Sequence, residues 1–383
     1  MMILARICYI ALCAALAGVL IFSGSALSLA LLIACLAVLP ALLAVNLHCR
    51  GCLRLSVLAP VNAEKGQTVS VRICLENSSR LPILAAACRI RLTNGLTGAS
   101  ETLTRRAAVP PRGQSEIEVQ LSSDCCGRIC AEITGVRLYD CFWMIPVRCA
   151  ASARGAVTVQ PQTFPMSVLV RANINCPDES ETYSQEKPGH DLTEVFQLRD
   201  YREGDSIRQI HWKLSAKYDR LILRDPSLPI TRSLLIFWER RVQSVSRVRQ
   251  DAQAEVLISL CRALLAMDVQ FTIAWNEGTG RCILHPVREL DDLVALMPRL
   301  FSAAAFTGGP DGAELYCGTE RTRAFAHVVY LGESVSPMLC RISPYGFSTA
   351  LVCGEAPETA PEDAAICAFA PDSYAQALME LEI

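Results

Sequence analysis

The chain has 383 residues, 51% of them hydrophobic and 19% charged, with a net charge of −2. That length allows two to three domains of about 100–200 residues each, and the near-neutral balance offers no electrostatic ground for nucleic-acid binding. The 19 cysteines are scattered through apolar patterns, which favours reduced, buried thiols over the disulfide framework of a short secreted chain.

Two apolar runs open the chain, Met2–Phe22 and Ala26–Leu47, joined by Ser23-Gly24-Ser25. Each is close to the roughly 20 residues that cross a bilayer core. A signal peptide is one shorter run, so the pair predicts a membrane hairpin in residues 1–50, with helices over about 3–22 and 26–47. Pro40 is tolerable in such a helix. Arg6 precedes the first run, Arg50 and Arg54 follow the second, and the loop between them is uncharged. Positive residues stay on the cytoplasmic side. The expectation is a multi-pass protein of the cell membrane with both termini and the large soluble part cytoplasmic.

Residues 51–165 read as an antiparallel β-sandwich-like domain. Short alternating stretches at 53–59, 68–75, 86–92, 115–121, 128–138 and 156–160 are punctuated by Asn77-Ser78-Ser79, Asn94-Gly95 and Pro110-Pro111-Arg112-Gly113. Cys125, Cys126, Cys130 and Cys149 lack paired C-x-x-C spacing and a nearby histidine, so they read as thiols and not as zinc ligands.

Residues 166–228 hold a polar linker at 173–187 and then the densest charged stretch of the chain. Residues 194–199 alternate as a strand, and 201–205 read as a turn. Asp205 is expected to cap a short helix from Ser206. In that helix Ile207, Ile210 and Leu214 would share one face, and Arg208, His211 and Ser215 another. Strand character resumes at 221–223.

The run from Gly189 to Arg224, with L-R-D-Y-R-E-G-D-S-I-R-Q-I-H-W-K-L-S-A-K at its centre, closely resembles the signature of the DUF58 family. The stretch from Cys126-Gly127-Arg128 to Tyr139-Asp140-Cys141-Phe142 resembles the pattern that precedes it there. Arg-Gly and Asp-Pro-Phe-Gly turns are usual in the family, where this chain has Cys-Gly and Asp-Cys-Phe-Trp. With the hairpin, the resemblance covers nearly the whole chain. It implies a membrane-anchored protein with a von Willebrand factor A-like C-terminal domain. Such proteins are often encoded beside MoxR-type AAA+ ATPases and membrane transglutaminase-like proteins.

The signature residues are Arg199, Tyr201, Gly204, Asp205, Arg208, His211, Trp212, Lys213, Ser215 and Lys217. Three roles are open to them. A structural one has Asp205 capping, Arg208 paired with a carboxylate and Trp212 packed on the sheet. A docking one uses arginine and tryptophan as interface anchors. A catalytic one builds a phosphate-ester hydrolase from Asp205, Arg208, His211 and Lys213, with His211 as base beside Asp205 or Asp219. No serine or cysteine nucleophile stands in a fitting context.

Residues 229–383 alternate strands (233–238, 269–275, 326–331, 347–353) with helices (250–267, 289–301, 372–380). This predicts a doubly wound, largely parallel sheet of Rossmann type, in keeping with the von Willebrand A-like resemblance. The first strand ends Phe237-Trp238-Glu239-Arg240-Arg241, without the Asp-x-Ser-x-Ser of a metal-binding A domain, and the two arginines would repel a cation. No Gly-rich phosphate loop is present. The chain therefore reads as an α+β multidomain protein without metal or cofactor. Its expected role is as an interaction partner of a MoxR-type ATPase in assembly or maintenance of envelope-associated complexes, and not as an enzyme.

Overall fold

The computed structural model describes residues 2–170, 182–202, 205–206, 209–278, 280–319, 325–342, 347–355 and 364–383, and side chains at all of these except 2, 182–196, 226–233, 319, 326 and 347. The chain divides into two compact units, Met1–Gln160 and Pro161–Ile383.

The first unit begins with α1 (Met2–Ser23) and α2 (Ala26–Cys52). Both are long and apolar enough to cross a membrane. Ser25 ends the link by accepting the Ser28 N–H at 3.2 Å, an N-cap for α2. Pro40 lies inside α2, which continues past the apolar run to Cys52 and passes directly into a strand. Arg6 of α1 donates twice to the Met144 carbonyl, at 2.9 and 3.0 Å, so the start of the first helix is tied to the β-domain into which the second helix runs.

Nine strands follow: β1 (Leu53–Leu58), β2 (Asn62–Glu64), β3 (Val69–Asn77), β4 (Ile83–Asn94), β5 (Ser100–Val109), β6 (Gln114–Leu121), β7 (Gly127–Tyr139), β8 (Val147–Cys149) and β9 (Arg154–Gln160). One sheet has the order β1-β3-β6. The other has the order β2-β9-β7-β4-β5, with β8 also on β7. Pairing is antiparallel except between β2 and β9. Alternate residues of both sheets, among them Ile73, Leu75, Ile90, Ile117, Ile133, Leu138 and Val157, meet in one shared core. Three elements that alternation did not reveal, β2, β5 and β8, lie at the sheet margins. β5 is exposed along most of its length on both faces, so it carries no period-2 signal.

The second unit holds β10 (Ser167–Leu169), β11 (Thr182–Asp200), α3 (Trp212–Tyr218), β12 (Ile222–Trp238), α4 (Arg247–Ala266), β13 (Phe271–Glu277), β14 (Arg281–Val287), α5 (Leu290–Leu300), α6 (Gly312–Thr319), β15 (Phe325–Gly332), α7 (Leu339–Ile342), β16 (Phe347–Cys353), β17 (Ala364–Phe369), α8 (Tyr374–Ala377) and β18 (Glu380–Glu382). Its main sheet has the order β14-β13-β12-β15-β16-β17, parallel from β13 to β17, with β14 antiparallel at one edge. Leu234 to Trp238 are wholly buried, as a strand covered on both faces must be. Leu235 and Phe237 pack with Ala313 and Tyr316 of α6 and Leu339 of α7. On the opposite face, Trp238 donates to Gln253 of α4 at 3.4 Å.

Three expectations need correction. The helix read over 372–380 is a single turn, α8, and the chain then enters β18, which pairs in parallel with β10. The apolar residue of that strand, Leu381, is buried. The stretch read as a linker to 187 already belongs to β11 from Thr182, while 171–181 lie outside the described residues. The helix read from Ser206 does not run on through Ile210: Ile210 bridges Leu223 in extended pairing and α3 starts at Trp212, while residues 207 and 208 lie outside the described residues.

Candidate functional site

The charged signature is built on the hairpin of β11 and β12, where Leu198 pairs with Arg224 and Arg199 with Leu223. Arg199 is its centre. The guanidinium donates Nη1 and Nη2 to the two oxygens of Asp205, at 2.7 and 2.9 Å, and Nε to Asp225 at 3.1 Å. Asp205 also accepts the Arg202 N–H at 2.8 Å. It thereby closes a turn onto Arg199; residues 207 and 208, whose N–H groups a helix cap at Asp205 would receive, lie outside the described residues. The Arg199 hydrogen bonds, then the Arg202 N–H, hold the Asp205 carboxyl down at about 2. The same bonds push Arg199 further up. Bidentate pairing fixes the turn in one geometry.

The N-cap of α3 is His211, whose Nδ1 accepts the Leu214 N–H at 3.4 Å. Its backbone N–H donates to the Ile222 carbonyl at 2.8 Å. Ser215 is buried and accepts the Ile222 N–H at 2.9 Å, tying α3 to β12. Tyr201 donates its N–H to the Leu221 carbonyl at 3.0 Å. Trp212 does not pack on the sheet: it is 61% exposed. Lys213 and Lys217 are exposed beside it, Lys217 lying over the Tyr218 ring at 5.5 Å. Gly204 and Arg208 lie outside the described residues. The structure thus brings Arg199, Asp205 and Asp225 together as a brace and turns Trp212, Lys213 and Lys217 outward. Both Asp205 oxygens are engaged by Arg199, and His211 is engaged by its own helix, so the phosphate-ester reading gains nothing from this arrangement.

A second polar site escaped the sequence reading. From β12 the chain passes through α4 to β13 on one side and later returns to β15 on the other, so the carboxyl ends of β12 and β15 flank a topological switch point. Ligand crevices in open α/β sheets form at such points. Here a cavity of about 460 Å³ is lined by Glu239, Arg241, Asp311, Tyr330 and Ser336, among others. Glu239 is 3% exposed. One of its oxygens accepts the Arg241 N–H at 2.8 Å, and the other accepts the Gly312 N–H at 2.6 Å and the Tyr330 hydroxyl at 3.4 Å. Asp311, just before α6, accepts the Glu314 N–H at 2.7 Å and the Ser336 hydroxyl at 2.8 Å. Burial pushes the Glu239 carboxyl up, against the two backbone N–H groups, and pushes the Tyr330 hydroxyl well up too. Arg240 does not face a cation site: it is buried, stacked 4.2 Å from the Trp238 ring, and donates Nε to the Ala303 carbonyl at 3.0 Å.

The signal for this crevice was present but indirect. A charged triplet, Glu239-Arg240-Arg241, follows at once on a fully apolar strand, and Gly308-Gly309-Pro310-Asp311-Gly312 is dense in turn residues. Gly308 and Gly309 both have positive φ, 80° and 79°. Among the described residues no three of His, Cys, Asp or Glu gather as for a metal ion, and every described cysteine is free.

No family model matches the chain, and no curated protein does. Solved structures resemble it only slightly. The CARDB domain of a Pyrococcus furiosus protein is 9% identical over 28% of this chain and 87% of its own, with a TM-score of 0.22. A cohesin module from a Clostridium perfringens glycoside hydrolase is 7% identical over 29% of this chain and 98% of its own, at 0.23. A PapD-like domain of human CEP192 is 11% identical over 28% and 84%, at 0.20. Likenesses this slight carry no argument for this chain.

Proposed function

We propose that the chain is a membrane-anchored docking protein of the DUF58 kind, whose second unit is von Willebrand A-like and receives a MoxR-type AAA+ ATPase in assembly or maintenance of envelope-associated complexes. A membrane transglutaminase-like protein is a further member of that assembly. The observation that carries the docking reading is the exposure of Trp212 on a helix braced from beneath. Ser215 fixes α3 to β12, and Arg199 clamps the preceding turn, so a large aromatic is held in solvent on the same short helix as two exposed lysines. Rigid, exposed tryptophan is the residue type that dominates interface energetics.

In this reading α1 and α2 cross the membrane, and both termini and the soluble part are cytoplasmic. The arginine flanks support that orientation. So does the bond from Arg6 to Met144, which keeps the start of α1 on the side where α2 ends. The sheet order with β12 central and a crevice at its carboxyl end supports the A-like reading of the second unit.

The test is co-purification of the detergent-solubilised full chain with the MoxR-type ATPase of the same genome. Trp212→Ala is expected to weaken capture at least tenfold, a loss of about 1.4 kcal/mol, with an unchanged unfolding midpoint. Undiminished capture by the variant would remove the docking role from α3. No capture by the wild-type chain would remove the ATPase as partner.

A further inference from the structure

A one-signed cluster of charge lies in the first unit. A groove of about 450 Å³ lies on the outer face of the larger sheet, and Arg89, Arg106, Arg137 and Arg148 line it without any Asp or Glu. Strand register explains how they meet. Arg106 of β5 pairs with Ala87 of β4, Ala87 with Arg137 of β7, and Arg137 with Arg148 of β8, giving one row across four strands. Arg89 lies two residues along β4 from Ala87, on the same face, between Thr104 and Gly135. The small residues Ala87 and Gly135 make the floor, and the arginines make the walls. All four are exposed, and none forms a salt bridge with a described carboxylate. A fold has no structural use for four like charges in one trough; their mutual repulsion is relieved by an anion.

The groove also adjoins the apolar helices. Cys149, next to Arg148, donates its thiol to the Arg50 carbonyl of α2 at 3.4 Å. Arg106 lies 4.8 Å over the Trp143 ring, Trp143 stacks on Tyr139 at 4.4 Å, and the next residue, Met144, is the one held by Arg6. Both ends of the helical pair therefore meet the sheet beside the arginine row, and aromatic residues stand with them. Basic pockets at the cytoplasmic end of membrane helices take lipid head groups, tryptophan and tyrosine sit at the head-group level, and the guanidinium fork matches a phosphate bidentately.

We infer that this groove binds the phosphate-bearing head group of an anionic phospholipid. The inference rests on the reading that α1 and α2 span the membrane. Head-group binding would orient the β-domain against the leaflet and give the protein a preference for anionic membrane.

The full chain in mild detergent is offered phosphatidylglycerol or phosphatidylcholine of matched acyl chains, and retained lipid is read by native mass spectrometry. Wild-type chain is expected to retain phosphatidylglycerol at least tenfold over phosphatidylcholine. Arg137→Gln/Arg148→Gln should lose that preference, and so should Arg89→Gln/Arg106→Gln, while Arg72→Gln on the other sheet should keep it. Unfolding midpoints identify any variant that fails to fold, and the second pair then decides. Equal retention of the two lipids, or unchanged preference in both double variants, overturns the inference. Inorganic phosphate alone that raises the unfolding midpoint as much as phosphatidylglycerol overturns the lipid source. The spanning reading is checked separately: release of the chain from membranes by alkaline carbonate overturns it and the lipid source with it, whereas membrane retention without lipid preference overturns the head-group site alone.

Discussion

The arginine groove of the first unit and the carboxylate crevice of the second are nearly equal in volume and opposite in electrostatic finish. In the crevice, Glu239 and Asp311 are met by backbone N–H groups, a tyrosine hydroxyl and a serine hydroxyl, all supplied by the chain itself. In the groove, four arginines share the lining and no carboxylate stands among them. A buried polar group that is fully hydrogen-bonded belongs to the fold. A charge cluster left unanswered at the surface belongs to something outside it. The location of a cavity therefore says less about its use than whether its polar groups are already satisfied.

This contrast is broken or sharpened by substitution. The largest effect is expected at Glu239. Glu239→Ala strips the acceptor from the Arg241 N–H and from the buried Gly312 N–H, where an unpaired donor costs about 1–3 kcal/mol. A loss of about 3 kcal/mol in thermal or urea unfolding is expected. A variant as stable as wild type would mean that the crevice is not held together by its carboxylate. Next is Gly312→Ala. A Cβ there would stand 2.9 Å from both the Glu239 carboxylate and the Phe237 ring, and neither can retreat from a packed core. Overpacking of this kind costs about 1–3 kcal/mol.

Acidity gives the third comparison. Burial raises the folded-state value of Glu239 above the usual carboxylate value of about 4.3. The folded chain then binds this proton more tightly than the unfolded chain does. The contribution is most favourable below the unfolded value and declines as pH rises through the raised folded value. Asp205 has the opposite sign. Held at about 2, it contributes stability above the ordinary aspartate range that is lost as pH falls toward about 2. Glu239→Gln should remove the decline on the alkaline side of the first window and leave the acid-side loss unchanged. A pH–stability profile identical to wild type would remove Glu239 as its source.

Much of this architecture is legible in the sequence, and the reasons are physical. The apolar runs of α1 and α2, the alternation of β3 and β6, and the unbroken Ser233–Trp238 run all follow from which faces are buried. Elements with weak burial leave weak patterns. β5 is mostly exposed, β14 is an edge strand with half-buried positions, and α6 and α7 are too short to show a helical period. The signature was legible as residues but not as geometry. Its alternating charges do not say that Arg199 gathers Asp205 and Asp225, because that depends on the hairpin register. The arginine groove was illegible for the same reason. Arg106, Arg137 and Arg148 are far apart in the chain, and only pairing across β5, β4, β7 and β8 sets them in one row.

The smallest effect is expected in the groove, and it discriminates best. If Arg137 answers nothing in the fold, Arg137→Gln removes repulsion and takes away no partner. Its unfolding midpoint at low salt should be equal to wild type or slightly higher, within the roughly 0.5 kcal/mol typical of surface substitutions. The gain should vanish as salt approaches 1 M, where the screening length falls to about 3 Å. A structural arginine behaves in the opposite way: its removal destabilises at every salt concentration, because a hydrogen bond or a packed stem is lost. Arg199, clamped between Asp205 and Asp225, supplies that reference within the same chain. Arg199→Gln should lower the midpoint at low and high salt alike. If Arg137→Gln followed Arg199→Gln and fell at both salt concentrations, the groove would be part of the brace of its own sheet, and the contrast with the crevice would collapse.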